Sequence, residues 1–187
     1  MNPDDSDPLM ECAIRLDEAG IDYMLTGSVA GYFYGLNRAT GDTDVVLSIV
    51  PSQVPAFVAA FKDAYFVDRL MVEQSVRERD MFNVMPRAGG KFDFIVLKPV
   101  ASELEKFARR EVFDWHGYPL WVATAPDLVL SKLEWARSSH SSMQFSDIRT
   151  IMGSGAVDEN DPYFARQLDR LNLREVLDAC YAEGHQT

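Results

Sequence analysis

The chain has 187 residues, 47% hydrophobic and 25% charged, with a net charge of −11; this is a globular composition with room for one sizeable core. The negative balance argues against broad adhesion to nucleic acid or anionic membrane, both of which depend on summed positive potential. No apolar run reaches the roughly 20 residues that span a bilayer, the acidic start Met1-Asn2-Pro3-Asp4-Asp5 lacks the regions of a signal peptide, and Cys12 and Cys180 are too isolated for a disulfide framework or zinc site, so a cytoplasmic protein with two packed thiols is expected.

Leu9 to Ala19 carries apolar residues at helical spacing and ends at Gly20, which predicts a helix with a glycine stop. Ile21 to Thr26 predicts a strand broken by Gly27-Ser28, and Val29 to Leu36 a short buried helix whose first turn begins at the serine. After a polar loop over Asn37 to Gly41, Thr43 to Val50 predicts a second strand, and Pro51-Ser52 opens a helix from Gln53 to Ala64. A short strand at Tyr65 to Asp68 and a polar helical stretch at Val72 to Arg79 follow. Met81 to Met85 and Phe92 to Leu97 predict a hairpin around Pro86-Arg87-Ala88-Gly89-Gly90. Ser102 with Glu105 predicts a capping box for a helix from Glu103 to Arg109. Val112 to Trp115 and Tyr118 to Val122 predict a small hairpin across His116-Gly117. Beyond Ala125-Pro126-Asp127 the spacing is helical: Leu128 to Arg137, Phe145 to Met152, Tyr163 to Leu171 and Arg174 to Glu183. The expected fold class is α/β (α+β), with an α/β unit over residues 1–123 and a helical carboxy-terminal unit over 124–187.

Asp42-Thr43-Asp44 is the most informative segment. Residues two apart on a strand share a face, so both carboxylates point the same way. Beside the apolar Val45-Val46-Leu47 they repel and lose solvation unless a cation or solvent meets them. Asp93 stands alone among Phe92, Phe94, Ile95, Val96 and Leu97, where a lone carboxylate is equally costly. Three such groups can hold two Mg²⁺ ions, which polarise a phosphoryl oxygen and orient a triphosphate. On this reading Asp42 and Asp44 ligate metal, and Asp93 either ligates it or accepts the nucleophile's proton. Gly27 lets backbone approach phosphate, and Ser28 with the amides at a helix start donates hydrogen bonds.

Leu25-Thr26-Gly27-Ser28, then Arg38-Ala39-Thr40-Gly41-Asp42-Thr43-Asp44, then an acidic residue isolated in a later apolar strand, resembles the DNA polymerase β-like nucleotidyltransferase superfamily. Within it the chain looks most similar to small bacterial abortive-infection-type and uncharacterised nucleotidyltransferases, whose later helix resembles Pro126-Asp127-Leu128-Val129-Leu130-Ser131-Lys132-Leu133. The resemblance covers residues 20–150. It implies a mixed β-sheet flanked by helices, NTP and Mg²⁺ as ligands, and transfer of a nucleoside monophosphate with release of pyrophosphate. It further implies that Gly27, Ser28 and Lys132 meet the nucleotide, joined by Arg38 and Thr40, and that Asp42, Asp44 and Asp93 are the catalytic and metal-binding carboxylates. Asp147 matches a later acidic position, without the basic residues that often precede it.

Each motif has a plainer rival. Gly27-Ser28 alone reads as a turn and cap; Asp42 and Asp44 alone read as strand-edge carboxylates, and Asp93 tips the set towards a metal site. Lys132 reads equally as a solvated lysine, and Arg38 and Thr40 as residues that order the loop. Trp115, Trp121 and Trp135 read as packing residues, His116 and His140 as loop residues, and the arginine clusters at 77–87 and 109–110 as solvated faces. The acceptor is an RNA end, a protein hydroxyl or a small molecule, with the acidic balance favouring a cationic small molecule. A toxin-like role beside an antitoxin-like partner fits the resemblance; the competing reading is a non-catalytic interaction module that kept the fold. A nucleic-acid-binding regulator is disfavoured by the charge.

Overall fold

Asp7 opens the first helix by accepting the amide of Leu9 at 2.8 Å, with Pro8 in the first turn where its missing N–H costs nothing. The structure is a computed structural model that describes residues 7–38, 40–139 and 141–184. His140, Ala39 of the expected loop and the acidic residues 1–6 lie outside the described residues.

The elements run α1 (Pro8–Glu18), β1 (Asp22–Thr26), α2 (Gly27–Tyr32) and β2 (Asp42–Ser48). A 3₁₀ turn (Pro51–Gln53) leads into α3 (Val54–Phe61), β3 (Tyr65–Phe66) and α4 (Arg69–Glu78). Then come β4 (Met81–Pro86), β5 (Lys91–Val96), α5 (Ala101–Ala108), β6 (Glu111–Trp115) and β7 (Tyr118–Val122). The helices α6 (Ala125–Ser139), α7 (Ser142–Gly153), α8 (Pro162–Leu171) and α9 (Arg174–Gly184) complete the chain. Two compact units result: Met1–Thr26 with Thr40–Val122, and Gly27–Ala39 with Ala123–Thr187. No helix among the described residues is long and apolar enough to cross a membrane.

The first unit is a seven-stranded mixed sheet in the order β3-β4-β5-β2-β1-β7-β6. The pair β2·β5 is parallel, as is β1·β7, while β1·β2, β3·β4, β4·β5 and β6·β7 are antiparallel. One face is densely apolar. Val45 and Leu47 of β2 stand beside Phe94 and Val96 of β5, and Phe57 and Phe61 of α3 seal them. Phe57 stacks on Phe61 at 4.6 Å and meets Phe94 edge-on at 5.3 Å. The opposite face of β2 and β5 carries the charges. Across the β6–β7 turn, His116 and Gly117 both have positive φ (52° and 86°), the conformation a two-residue hairpin needs.

The second unit packs α2 and the four carboxy-terminal helices around Ala30, Leu36, Leu128, Val129, Leu133, Ile148, Phe164 and Leu177, all buried. Thr124 starts α6: its Oγ1 accepts the Asp127 amide at 3.4 Å and donates to Asp127 Oδ2 at 2.7 Å. Asp127 Oδ1 accepts the Tyr163 hydroxyl, which ties α8 to α6 through a buried polar pair.

Several local expectations change. The helix expected to Leu36 stops at Tyr32, because the chain turns back through Gly35 at φ +92° and returns the Leu36 amide to Gly31 O. The helix α5 begins two residues early, with Val100 at the cap and Ser102 inside, so the Ser102–Glu105 box does not form. The helix α4 begins at Arg69 because Asp68 caps it. Trp135 is 68% exposed rather than packed. Both cysteines are free and buried, and burial raises the pKa of each thiol.

Candidate active site

In the first unit, strand register decides which charges meet. Asp42 pairs with Lys91 and Asp44 with Asp93 across the parallel β2·β5 ladder. Alternation along each strand then puts all four on one face. The row through Asp44 and Asp93 continues to Thr26 on β1 and Asn83 on β4. Asp93 is 7% exposed, Asp44 half-buried and Asp42 exposed.

Asp44 and Asp93 are like charges in register, an arrangement that destabilises a sheet unless a cation offsets it. Lys91 supplies one. Its Nζ donates to Asp93 Oδ2 at 2.8 Å and lies 3.3 Å from Asp42 Oδ2. Hydrogen bonding to Asp93, then to Asp42, raises the Lys91 pKa above its ordinary value. Asp93 Oδ1 is buried with no hydrogen-bond partner among the described residues. Thr40, expected near the nucleotide, braces the start of β2: its Oγ1 donates to Asp42 O at 3.0 Å.

Among the described residues no three His, Cys, Asp or Glu side chains form a ready metal cage. Mg²⁺ does not need one. It is held by one or two carboxylates plus substrate phosphates, and the in-register pair Asp44 and Asp93, one oxygen of which is buried and unsatisfied, fits that donor set.

The second unit holds the other expected residues. Gly27 takes φ +64°, a left-handed backbone that favours glycine. Ser28 Oγ accepts a hydrogen bond from Arg38 Nη2. The same guanidinium grips Asp147 with two bonds, Nε to Oδ1 at 3.1 Å and Nη2 to Oδ2 at 3.0 Å. Lys132, read from sequence as equally a solvated lysine, is 5% exposed. Its Nζ donates to Asp147 Oδ2 at 2.7 Å and to Gln144 Oε1 at 3.3 Å. Burial pushes the Asp147 carboxyl up, but the bonds from Arg38 and Lys132 outweigh it and hold the pKa below the usual carboxylate range. Two cations thus share one buried carboxylate. The surplus positive charge beside Ser28 suits an anionic ligand.

Sequence reasoning left two of these residues without a role. Lys91 was visible two positions before Asp93, the spacing that shares a strand face. Asp147 was seen as a position but not as the hub of Arg38 and Lys132, because that meeting spans 109 residues of chain.

No family model matches the sequence, and no curated protein matches it. Among solved structures the fold is shared with an antigenic nucleotidyltransferase-like protein from Paracoccidioides brasiliensis (TM-score 0.53, 14% identity, covering 94% of this chain and 93% of that one). It is also shared with the antibiotic-resistance factor ANT(2'')-Ia (TM-score 0.53, 11% identity, covering 95% of each chain). At these identities the likeness is one of fold.

Proposed function

We propose that this chain is a metal-dependent nucleotidyltransferase of the polymerase β-like type, transferring a nucleoside monophosphate from an NTP to an acceptor hydroxyl with release of pyrophosphate. The observation that carries the reading is the register that sets Asp42, Asp44 and Asp93 on one face of β2 and β5. The shared nucleotidyltransferase-like fold supports it.

In this reading Asp44 and Asp93 would hold Mg²⁺ together with the triphosphate, with Asp42 beside them on the same face. When bound, the metal polarises the phosphoryl oxygens and offsets the charge that develops on the leaving pyrophosphate. Asp93 accepts the proton of the acceptor hydroxyl. The acceptor oxygen then bonds to the α-phosphorus as the bond to the pyrophosphate oxygen breaks. The resemblance assigns Gly27, Ser28, Arg38 and Lys132 to the nucleotide, and within the second unit Asp147 fixes the last two in place. The acceptor is an RNA end, a protein hydroxyl or a small molecule, and a toxin-like role in the cytoplasm beside an antitoxin-like partner is compatible with this chemistry.

The test is incubation with Mg²⁺ and each α-labelled NTP, together with cell RNA, protein or small-molecule fractions. Label transfer and pyrophosphate release are expected, and the labelled fraction identifies the acceptor class. Absence of NTP binding at millimolar Mg²⁺ overturns the reading. In that case Lys91, already seated on Asp42 and Asp93, favours a non-catalytic module that kept the fold.

A further inference from the structure

Lys91 does something the three-carboxylate reading has no place for. It stands on the carboxylate face itself, opposite Asp42 in the ladder and two residues before Asp93. Its ammonium is bound to both. A single positive charge bridging two carboxylates, beside a third in register, offsets the repulsion that would otherwise open this part of the sheet. A divalent cation coordinated by Asp93 would offset the same repulsion with twice the charge. The two cations compete for one set of oxygens.

We propose that Lys91 is the resident counter-ion of this face, holding Asp42 and Asp93 until a divalent cation arrives with the triphosphate, whose phosphates then receive the displaced ammonium. The inference rests on the nucleotidyltransferase reading above. Three features make the exchange feasible. Lys91 is half-exposed at the first position of β5, directly after the Gly89-Gly90 turn, so its four-carbon stem can swing without moving the ladder. Its hold on the pair is through the ammonium alone, with no bidentate geometry to break. Asp93 Oδ1 is buried and lacks a hydrogen-bond partner among the described residues, so Lys91 occupies only one of its two oxygens.

The consequence is a coupling. Metal binding without nucleotide must evict an ammonium into water, whereas metal binding with nucleotide gives that ammonium new anionic partners. Free Mg²⁺ therefore binds weakly, and nucleotide strengthens metal binding by more than its own chelation explains.

The experiment is a Mn²⁺ titration followed by electron paramagnetic resonance of the free ion. It uses wild type, Lys91→Met, Lys91→Arg and Asp93→Asn, with and without a mixture of the four α,β-methylene NTPs. Without nucleotide, Lys91→Met should bind Mn²⁺ roughly two- to fivefold more tightly than wild type, the scale of a partly solvated ion pair removed. Lys91→Arg should stay near wild type, and the gain from nucleotide should be smaller in Lys91→Met than in wild type. A second readout is thermal: without metal Lys91→Met should melt lower than wild type, and Mn²⁺ should raise it more. Mn²⁺ binding that is unchanged or weaker in Lys91→Met, while Asp93→Asn loses it, overturns the role of Lys91 and leaves the carboxylate site standing. Mn²⁺ binding that Asp93→Asn does not alter, or no Mn²⁺ binding by any variant with or without nucleotide, overturns the carboxylate site and Lys91's role with it.

Discussion

Lys132 and Asp147 form a salt bridge at 2.7 Å with both side chains almost wholly buried. Removing one partner of such a pair leaves an uncompensated charge in a low-dielectric interior. Asp147→Asn should therefore lower folding stability by about 3 kcal/mol, read as a shift in urea midpoint. The double change Lys132→Met with Asp147→Leu should recover much of that loss, because apolar residues of similar size carry no desolvation cost.

The same carboxyl has a depressed pKa, which fixes the sign of a pH effect. Its contribution to stability is fully present above the unfolded-state value near 3.8 and is lost as pH falls through the lower folded-state value. Wild type should thus lose stability more steeply than Asp147→Asn below about pH 4. Chemical denaturation of both proteins between neutrality and strong acid checks this, and parallel curves would refute it.

Asp44 and Asp93 separate stability from activity. Their register places like charges side by side, so Asp44→Asn relieves repulsion and should leave stability within about 0.5 kcal/mol of wild type or slightly above it. Pyrophosphate release should nevertheless fall by about 10³-fold or more. A variant that is stable but retains transfer would count against the carboxylate site.

Arg38 joins Ser28 to Asp147 through a planar fork that lysine cannot reproduce. Arg38→Lys should raise KM for the NTP roughly tenfold, the loss of one charge-assisted hydrogen bond, with a smaller change in kcat. Steady-state kinetics at saturating Mg²⁺ distinguishes this from a general loss of fold.

Gly31 tests packing. A Cβ there would lie 2.1 Å from Leu36 Cδ1 and 2.8 Å from its Cγ, and Leu36 is itself buried. Gly31→Ala should cost about 1–3 kcal/mol by overpacking. Adding Leu36→Ala should return part of it, measurable as non-additivity in a double-mutant cycle.

Most of the fold was readable because its signals are local. The turn chemistry of Pro86-Arg87-Ala88-Gly89-Gly90 between two apolar runs marked β4 and β5, Pro51 marked a helix start, and Asp42 with Asp44 announced one strand face. The helix end before Gly35 was hidden because Leu36 is apolar for a different reason: it packs on Gly31 after the chain reverses. Trp135 misled because large aromatic rings are usually packed. The polar core around Asp147 was unreadable for want of tertiary information, since Arg38, Lys132 and Asp147 carry no sequence mark of their meeting. Lys91 was readable in principle, because strand alternation puts a residue two positions before Asp93 on the same face.

The segment 27–39 is grouped with residues 123–187, although residues 40–122 of the chain separate them. Within that grouping, Tyr34 donates its hydroxyl to Ala123 O at 2.8 Å and Asp147 receives Arg38. A gene fragment that begins at Ala123 would therefore lack part of its own interior, and one that ends at Val122 would carry an orphaned insert. The helical part is not a removable appendage, and a graft or truncation of it succeeds only when residues 27–39 travel with it.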